Sequence, residues 1–569
     1  MHCNIASGSF IVRDNLERRI MMSKKIVIVG GVAGGASAAA RLRRLDEAAE
    51  IVIIERGEHI SFANCGLPYY VGGVINKRQS LLVQTPRAMH KRFNIDVRTH
   101  HEAISIHPQD KTLEVRELLT GETYVEKYDY LILSPGAHPI IPDITGIDLP
   151  NVFTVRNVPD SDLIKDFVTV NQPAAAAIIG AGFIGLEMAE ALHQSGVNTT
   201  VIESAAQVMG ALDPEMAAFL HQYLRRQNVS LILNDKVVAL KGSSRVEGVE
   251  LQSGQFIAAD MVVLGIGVAP EVALAEAAGL ALGSSGGILV NDCLQTSDPS
   301  IYAVGDAIQV KDFVTGKAAL VPLAGPANKQ GRLAADHICG RQARYNGTQG
   351  TAILKFMDMV VAVTGSNEKR LGQQGINYLA CHTHPAPHAT YYPGGSQMSM
   401  KVLFTPGEGK LLGAQIVGYE GVDKRIDVLA TAIRAGMTVF DLKELELAYA
   451  PPFSSAKDPV NMIGYVASNI IDHDIDIVYW HQVPSLVAEG AFLIDVRTAK
   501  EYESGAVEGA HNIPLDEIRL HLQDIPQDRP VLTYCQVGLR SYMAARILKQ
   551  KGYQVRNISG GFKLFQAIS

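Results

Sequence analysis

The chain repeats one strand–turn–helix–strand grammar, and that duplication constrains its fold more than any other feature. Lys25 to Val29 is a short β-branched run ending in Gly30-Gly31-Val32-Ala33-Gly34-Gly35. An Ala-rich helical pattern follows through Arg44, and a second strand, Ile51 to Ile54, closes on Glu55. Ala175 to Ile179, the turn Gly180-Ala181-Gly182-Phe183-Ile184-Gly185, a helix through His193 and the strand Thr199 to Ile202 closing on Glu203 repeat the pattern. Short apolar runs bounded by glycine turns and alternating with helical periodicity mark βαβ units. In the second unit Gly180 permits the tight turn, Gly182 lets the backbone approach a pyrophosphate, and Gly185 allows close helix–strand packing. Glu203 stands where a carboxylate accepts hydrogen bonds from a ribose 2′-hydroxyl, and no Arg follows in Glu203-Ser204-Ala205-Ala206. The nucleotide expected there is NADH rather than NADPH.

The first unit departs from this fingerprint by placing Val32 where the middle glycine belongs. Asp306, in Ala303-Val304-Gly305-Asp306-Ala307, supplies what is missing. An acidic residue at a helix start after a strand can bind the ribityl chain, as in two-dinucleotide flavoproteins. Together with Ser134-Pro135-Gly136-Ala137 after the strand Tyr130 to Leu133, it makes FAD the expected occupant. The expected cofactor contacts are therefore Gly30, Val32, Ala33, Gly35, Glu55, Ser134, Gly136 and Asp306 for FAD, and Gly180, Gly182, Gly185 and Glu203 for NADH. A run read as alternating in polarity, Met261 to Gly265, and the segment Ile301 to Asp306 predict that the chain then returns to the first domain.

At 569 residues the chain has room for roughly three to five domains of about 100–200 residues each. The fold class expected is α/β: two Rossmann-like dinucleotide-binding domains, an α+β domain and a C-terminal α/β domain. The boundaries read are 23–149 with 268–346, 150–267, 347–468 and 477–569, preceded by a disordered extension over 1–22. That extension lacks a secretory pattern, and Met22 is the better start. No apolar run approaches the ~18 residues of a membrane span. The net charge of −7 is spread without blocks of one sign, which argues against a nucleic-acid partner. Six cysteines, Cys3, Cys65, Cys293, Cys339, Cys381 and Cys535, lack the dense spacing of a disulfide framework, so a cytoplasmic setting is expected. Cys293 and Cys339 have no partner motif and read as structural.

Cys65 lies near the start of an expected helix, with no second cysteine in a Cys-x-x-Cys arrangement. A helix N-terminus and nearby positive charge are expected to lower its pKa and give a thiolate that attacks disulfides. Ser61-Phe62-Ala63-Asn64-Cys65-Gly66-Leu67-Pro68-Tyr69 resembles the active-site segment of the single-cysteine pyridine nucleotide-disulfide oxidoreductases, specifically the coenzyme A-disulfide reductases. The resemblance runs from about residue 24 to 468 and includes Tyr391-Tyr392-Pro393 and Ala448-Tyr449-Ala450-Pro451-Pro452-Phe453-Ser454. It implies a Cys65–S–S–CoA mixed disulfide reduced by FAD and a homodimer joined through residues 347–468. It also implies that tyrosines matching Tyr449 and one of Tyr391 and Tyr392 reach in from a partner subunit; Tyr392 is assigned to catalysis and Tyr391 to CoA. By the same matching, Arg44, Ser61, Phe62 and Asn64 line the CoA site. The family's basic residue around 91–93 is Phe93 here, leaving Lys91 or Arg92 to substitute, with Arg92 preferred. NADH oxidases and peroxidases are also similar and cycle one Cys through sulfenic acid, but they carry a His in the first glycine loop where this chain has Ala33.

The C-terminal segment resembles a rhodanese domain, with Asp495-Val496-Arg497 after one strand and Cys535-Gln536-Val537-Gly538-Leu539-Arg540-Ser541 after another. A Cys-x-x-x-x-Arg loop wraps backbone N–H groups around the sulfur, and the next helix points its positive end at it, stabilising a thiolate or persulfide. Cys535 and Arg540 are the expected catalytic pair. Cys381-His382-Thr383-His384 with His388 has the donor types of a metal site, but Pro385 and Pro387 interrupt it. No metal is expected there, and the segment reads as a polar loop near the substrate. The function expected is NADH- and FAD-dependent reduction of CoA persulfide, polysulfide or CoA disulfide at Cys65, with Cys535 delivering sulfane sulfur. An oxidase or peroxidase, or a sulfane-sulfur carrier or redox sensor, are the alternatives.

Overall fold

A computed structural model describes residues 23–569; the extension read at 1–22 lies outside the described residues. The strand Lys25–Val29 is apolar along its centre because both its faces are covered, as a parallel sheet requires. It pairs with Glu50–Glu55 on one side and Tyr130–Leu133 on the other. Asp96–Thr99 extends one edge and Ile301–Ala303 the other, all in parallel register. Strand order therefore reverses beside Lys25–Val29, and the turns after Val29 and Leu133 flank the crevice where open α/β sheets bind ligands.

A second parallel sheet repeats this plan in the order Ser230–Ile232, Asn198–Ile202, Ala175–Ile179, Met261–Leu264, Val152–Phe153. Met261–Leu264 corrects the sequence reading. It is buried throughout rather than alternating, and it pairs with Ala176–Ile179 inside this sheet. The return to the first sheet is made by Ile301–Ala303.

A five-stranded antiparallel sheet follows, ordered Ala352–Phe356, Met359–Gly365, Leu411–Gly418, Ser399–Phe404, Leu379–Thr383, with the helices Val422–Arg434 and Pro459–Ile471. The last sheet is parallel, with Val531–Tyr534 between Val555–Ile558 and Phe492–Asp495. The helix Gly561–Ile568 of this unit packs on Pro214–Arg226 of the second nucleotide fold, where Gln222 donates to the Gln566 carbonyl. Beside that contact, Lys401 is fully buried between Asp213 (2.8 Å), Glu368 (2.9 Å) and Glu215, tying the antiparallel unit to the nucleotide fold.

Candidate active site

Both glycine turns are shaped by backbone crowding. Gly30 and Gly180 have φ of +94° and +100°, and a Cβ on either would lie within 2.4 Å of a backbone oxygen, of Ser134 and Gly265 respectively. A Cβ on Gly35 or Gly185 would strike the carbonyl of its own turn. Gly182 and Gly136 differ, since a Cβ there would meet nothing within 4 Å. These open faces fit a ligand that approaches the backbone. The helices Ala33–Leu45 and Phe183–Gln194 have no side-chain N-cap, leaving first-turn N–H groups for an anion. Glu55 accepts from Gly31 N and Gly57 N (both 2.8 Å), and Glu203 from Ala181 N and Ala205 N (both 2.9 Å). Each carboxylate thus braces its turn and retains lone pairs for a ribose. Ser134 Oγ, Gly34 and Gly305 crowd together beside Asp306. Burial raises the Asp306 carboxyl above the usual range, against the pull of Arg156.

Cys65 is exposed on a single 3-10 turn, Asn64–Gly66, that runs into the helix Leu67–Val71. Ser61, just upstream, holds a left-handed φ of +45°, a strain of about 1–3 kcal/mol that persists only where surroundings over-determine it. Its N–H donates to the Gly31 carbonyl (2.8 Å), and its own carbonyl accepts from Val83 N (3.1 Å), so the cysteine segment is pinned to the first glycine turn. The expectation of a lowered Cys65 pKa is not met by the chain itself. Burial on the protein side raises the thiol, and its charged neighbours are the carboxylates Glu187 and Asp306. Burial, reinforced by Glu190, also pushes Glu187 up to about 7, leaving a half-protonated carboxyl near the thiol. Sequence reasoning missed Glu187; its signal was an acidic residue just past Gly185 on a helix otherwise apolar at its start.

A cavity of about 340 Å³ opens beside the helix Ala33–Leu45. Of the expected CoA residues, Arg44 and Ser61 line it. Phe62, Asn64 and Tyr391 do not, and neither does Arg92, which is exposed while Phe93 turns inward. Val32 and Ala33, expected to contact FAD, form part of its wall. The second guanidinium comes from Arg332, with Asn328 one turn earlier on the helix Ala324–Ile338. That helix packs on Ala33–Leu45 so closely that a Cβ on Gly331 would sit 2.1 Å from the Gly34 carbonyl oxygen. Two cations, four amide or hydroxyl side chains and an apolar floor of Met89 and Phe93 suit a phosphorylated, partly apolar ligand.

Tyr391 and Tyr449 are exposed and share a hydrogen bond between hydroxyls of 2.9 Å, whereas Tyr392 sets its ring edge-on to His388. The structure thus pairs Tyr449 with Tyr391 rather than Tyr392.

In the last unit Cys535 is fully buried, and its sulfur accepts from Gly538 N at 3.1 Å. Arg540 forms a two-pronged ion pair with Glu501 (2.7 and 2.6 Å), whose carboxyl it holds down at about 2. Asp495 grips Arg497, whose guanidinium lies over the Phe562 ring at 3.9 Å. His382 is on the strand Leu379–Thr383 and His384 just beyond it, both are buried, and their ring nitrogens are engaged by Glu215, Ser559, Ser399 and Gly560. Both rings are thus engaged within the protein, and the strand position of His382 and the burial of both side chains correct the reading of a polar loop near the substrate.

Two nucleotide crevices and one exposed thiol beside them define a dinucleotide-dependent oxidoreductase. Residues 24–331 match the pyridine nucleotide-disulphide oxidoreductase family, 351–459 its dimerisation domain and 481–568 the rhodanese-like domain. The chain belongs to the pyridine nucleotide-disulphide oxidoreductase family. It is 38% identical over 431 residues to a coenzyme A disulfide reductase of Staphylococcus haemolyticus, covering 76% of this chain and 96% of that protein. The crystal structure of reduced Bacillus anthracis CoADR-RHD is 53% identical with a TM-score of 0.95, over 96% of this chain and 98% of that one. A NAD-dependent persulfide reductase from A. fulgidus is 37% identical with a TM-score of 0.90, over 95% and 100%. Among the described residues no helix is long and apolar enough to cross a membrane.

Proposed function

We propose that this chain is a cytoplasmic, homodimeric flavoprotein that uses NADH to reduce the sulfur–sulfur bond of CoA persulfide, polysulfide or CoA disulfide at Cys65, with Cys535 feeding it sulfane sulfur. One observation carries the reading: Ser61 lies at once in the wall of the two-arginine cavity and on the pinned segment that presents Cys65. A CoA phosphate group held by Arg44 and Arg332 would leave the pantetheine arm free to run toward the thiol. The Glu55 side of the chain would hold FAD and the Glu203 side NADH; FAD when bound supplies the two-electron relay from NADH to sulfur.

The Cys65 thiolate attacks the sulfur attached to CoA, forming Cys65–S–S–CoA, and the S–S electron pair leaves on hydrosulfide from a persulfide or on CoA thiolate from a disulfide. Two electrons from NADH return the mixed disulfide to two thiolates. Glu187, poised near neutrality, is suited to hold the proton that the thiol releases. Tyr391 and Tyr449, exposed and mutually hydrogen-bonded, would reach the partner's site in the dimer. The anaerobic rate of NADH oxidation with CoA persulfide and with CoA disulfide tests this. Turnover with either, lost in Cys65→Ser, is expected; turnover with oxygen or peroxide alone would replace it with an oxidase.

A further inference from the structure

We propose that His382 and His384 are positioning residues for the sulfur-carrying loop at Cys535: the reductase half of the molecule clamps Ser559 and Gly560, and through them holds that loop in its working shape. This rests on the reading of Cys535 as the sulfane-sulfur acceptor.

Gly560 offers only a carbonyl to His384 Nε2 (2.9 Å), so that nitrogen carries the proton, and Nδ1 accepts from the Ser399 hydroxyl (2.9 Å). Likewise His382 Nε2 donates to Glu215 (3.0 Å), while Nδ1 and the backbone N–H of His382 both engage Ser559 Oγ, at 2.9 and 3.3 Å. Burial holds His384 neutral, with its pKa down at about 3. Both rings are therefore rigid donor–acceptor struts between the antiparallel unit and the segment after Val555–Ile558.

That segment carries the cysteine loop. Gly560 and Gly561 have φ of +81° and +56°, a bend that aims the next two N–H groups at the loop. Phe562 N donates to the Cys535 carbonyl (2.7 Å) and Lys563 N to the Gln536 carbonyl (2.9 Å). With their carbonyls drawn away, the loop turns the Gly538 N–H onto the sulfur. The fit allows no slack: a Cβ on Gly561 would lie 2.6 Å from the Cys535 carbonyl oxygen and 3.0 Å from Gly538 N. A shift of Gly560 is thus a shift of the groups that hold the sulfur, and His384 is the side chain that fixes Gly560 from outside the unit.

The test loads the full-length chain with thiosulfate and follows the Cys535 persulfide by mass spectrometry. The thiolate attacks the outer sulfur and sulfite departs with the electron pair of the broken S–S bond. His384→Leu is expected to load about tenfold more slowly, and His384→Gln, which keeps a donor near the Nε2 position, within about threefold of the parent. NADH-dependent reduction of CoA disulfide at Cys65 should stay within about twofold in both. Loading by His384→Leu at the parent rate, or equal loss in the Gln and Leu variants, overturns the proposal. Should His384→Leu fail to fold, Ser559→Ala removes the neighbouring anchor and must slow loading while Cys65 turnover persists. If the parent chain takes no sulfur, the reading of Cys535 fails separately. The pH profile of Cys535 alkylation then decides: a midpoint raised in Leu and restored in Gln supports the clamp, and identical profiles overturn it.

Discussion

Cys65 stands exposed on a single turn whose charged neighbours are carboxylates, whereas Cys535 is buried under a loop that aims a backbone N–H at its sulfur. The difference follows from what each would meet. On the function proposed above, Cys65 would admit a sulfur at the end of a long CoA arm, which its open position suits, and the chain alone disfavours its thiolate. Cys535 would hold a small sulfur anion, for which its loop supplies the donor in advance. One residue type is thus placed in two settings suited to different chemistries because the surrounding backbone differs.

Deleting each sulfur in turn should have the largest effect. Cys65→Ser should lower NADH-dependent reduction of CoA disulfide by about a thousandfold or more while leaving sulfur uptake by Cys535 intact. Cys535→Ser should do the reverse, and steady-state assays of both activities check the pair. Loss of both activities in either variant would mean that the two thiols work as one site.

Lys401 joins the halves that carry the two thiols. Burial works to lower its pKa, but Glu215, Asp213 and Glu368 outweigh it and keep it charged. Burial works to raise the Glu215 carboxyl, and His382 and Lys401 outweigh it and hold it below the ordinary range. Lys401→Met would leave three carboxylates together and should cost about 3–5 kcal/mol in urea unfolding at neutral pH. A depressed carboxyl contributes stability that is present above its unfolded pKa and lost as pH falls through the folded one. The gap between parent and variant should therefore shrink in acid.

Arg332→Ala should raise KM for CoA substrates about tenfold to a hundredfold with little change in kcat, since it removes a phosphate contact remote from the sulfur. Arg92→Ala should change neither. The smallest effect concerns Glu187. Burial is the main cause of the raised Cys65 pKa and Glu187 the next, so Glu187→Gln should lower it and speed iodoacetamide alkylation of Cys65 about twofold to fivefold. Because Glu187 titrates at about 7, the gain should appear above that pH and vanish below it.

The glycine turns were legible because positive φ and backbone crowding at Gly30 and Gly180 admit no other residue. The fold of the Cys535 loop was legible for a related reason, since the cysteine and the Gly538 N–H that meets its sulfur fall within one short segment. Met261–Leu264 fell within the unit read at 150–267, but its alternation was misread, because a strand covered on both faces in a parallel sheet is apolar at every position. Arg332 escaped because its approach to Arg44 depends on two helices packed through Gly34 and Gly331, far apart in sequence. His382 and His384 were misread because strand position and neighbouring prolines say nothing of a domain docked from the far end of the chain.

On the proposed function Cys65 exchanges thiols with CoA. Anaerobic incubation of the NADH-reduced protein with CoA disulfide, followed by acid quench and intact mass analysis, tests it directly. One CoA adduct on Cys65 is expected, absent in Cys65→Ser and discharged by further NADH. An unmodified Cys65, or one that oxygen or peroxide converts to sulfenic acid while CoA disulfide leaves it untouched, would contradict it.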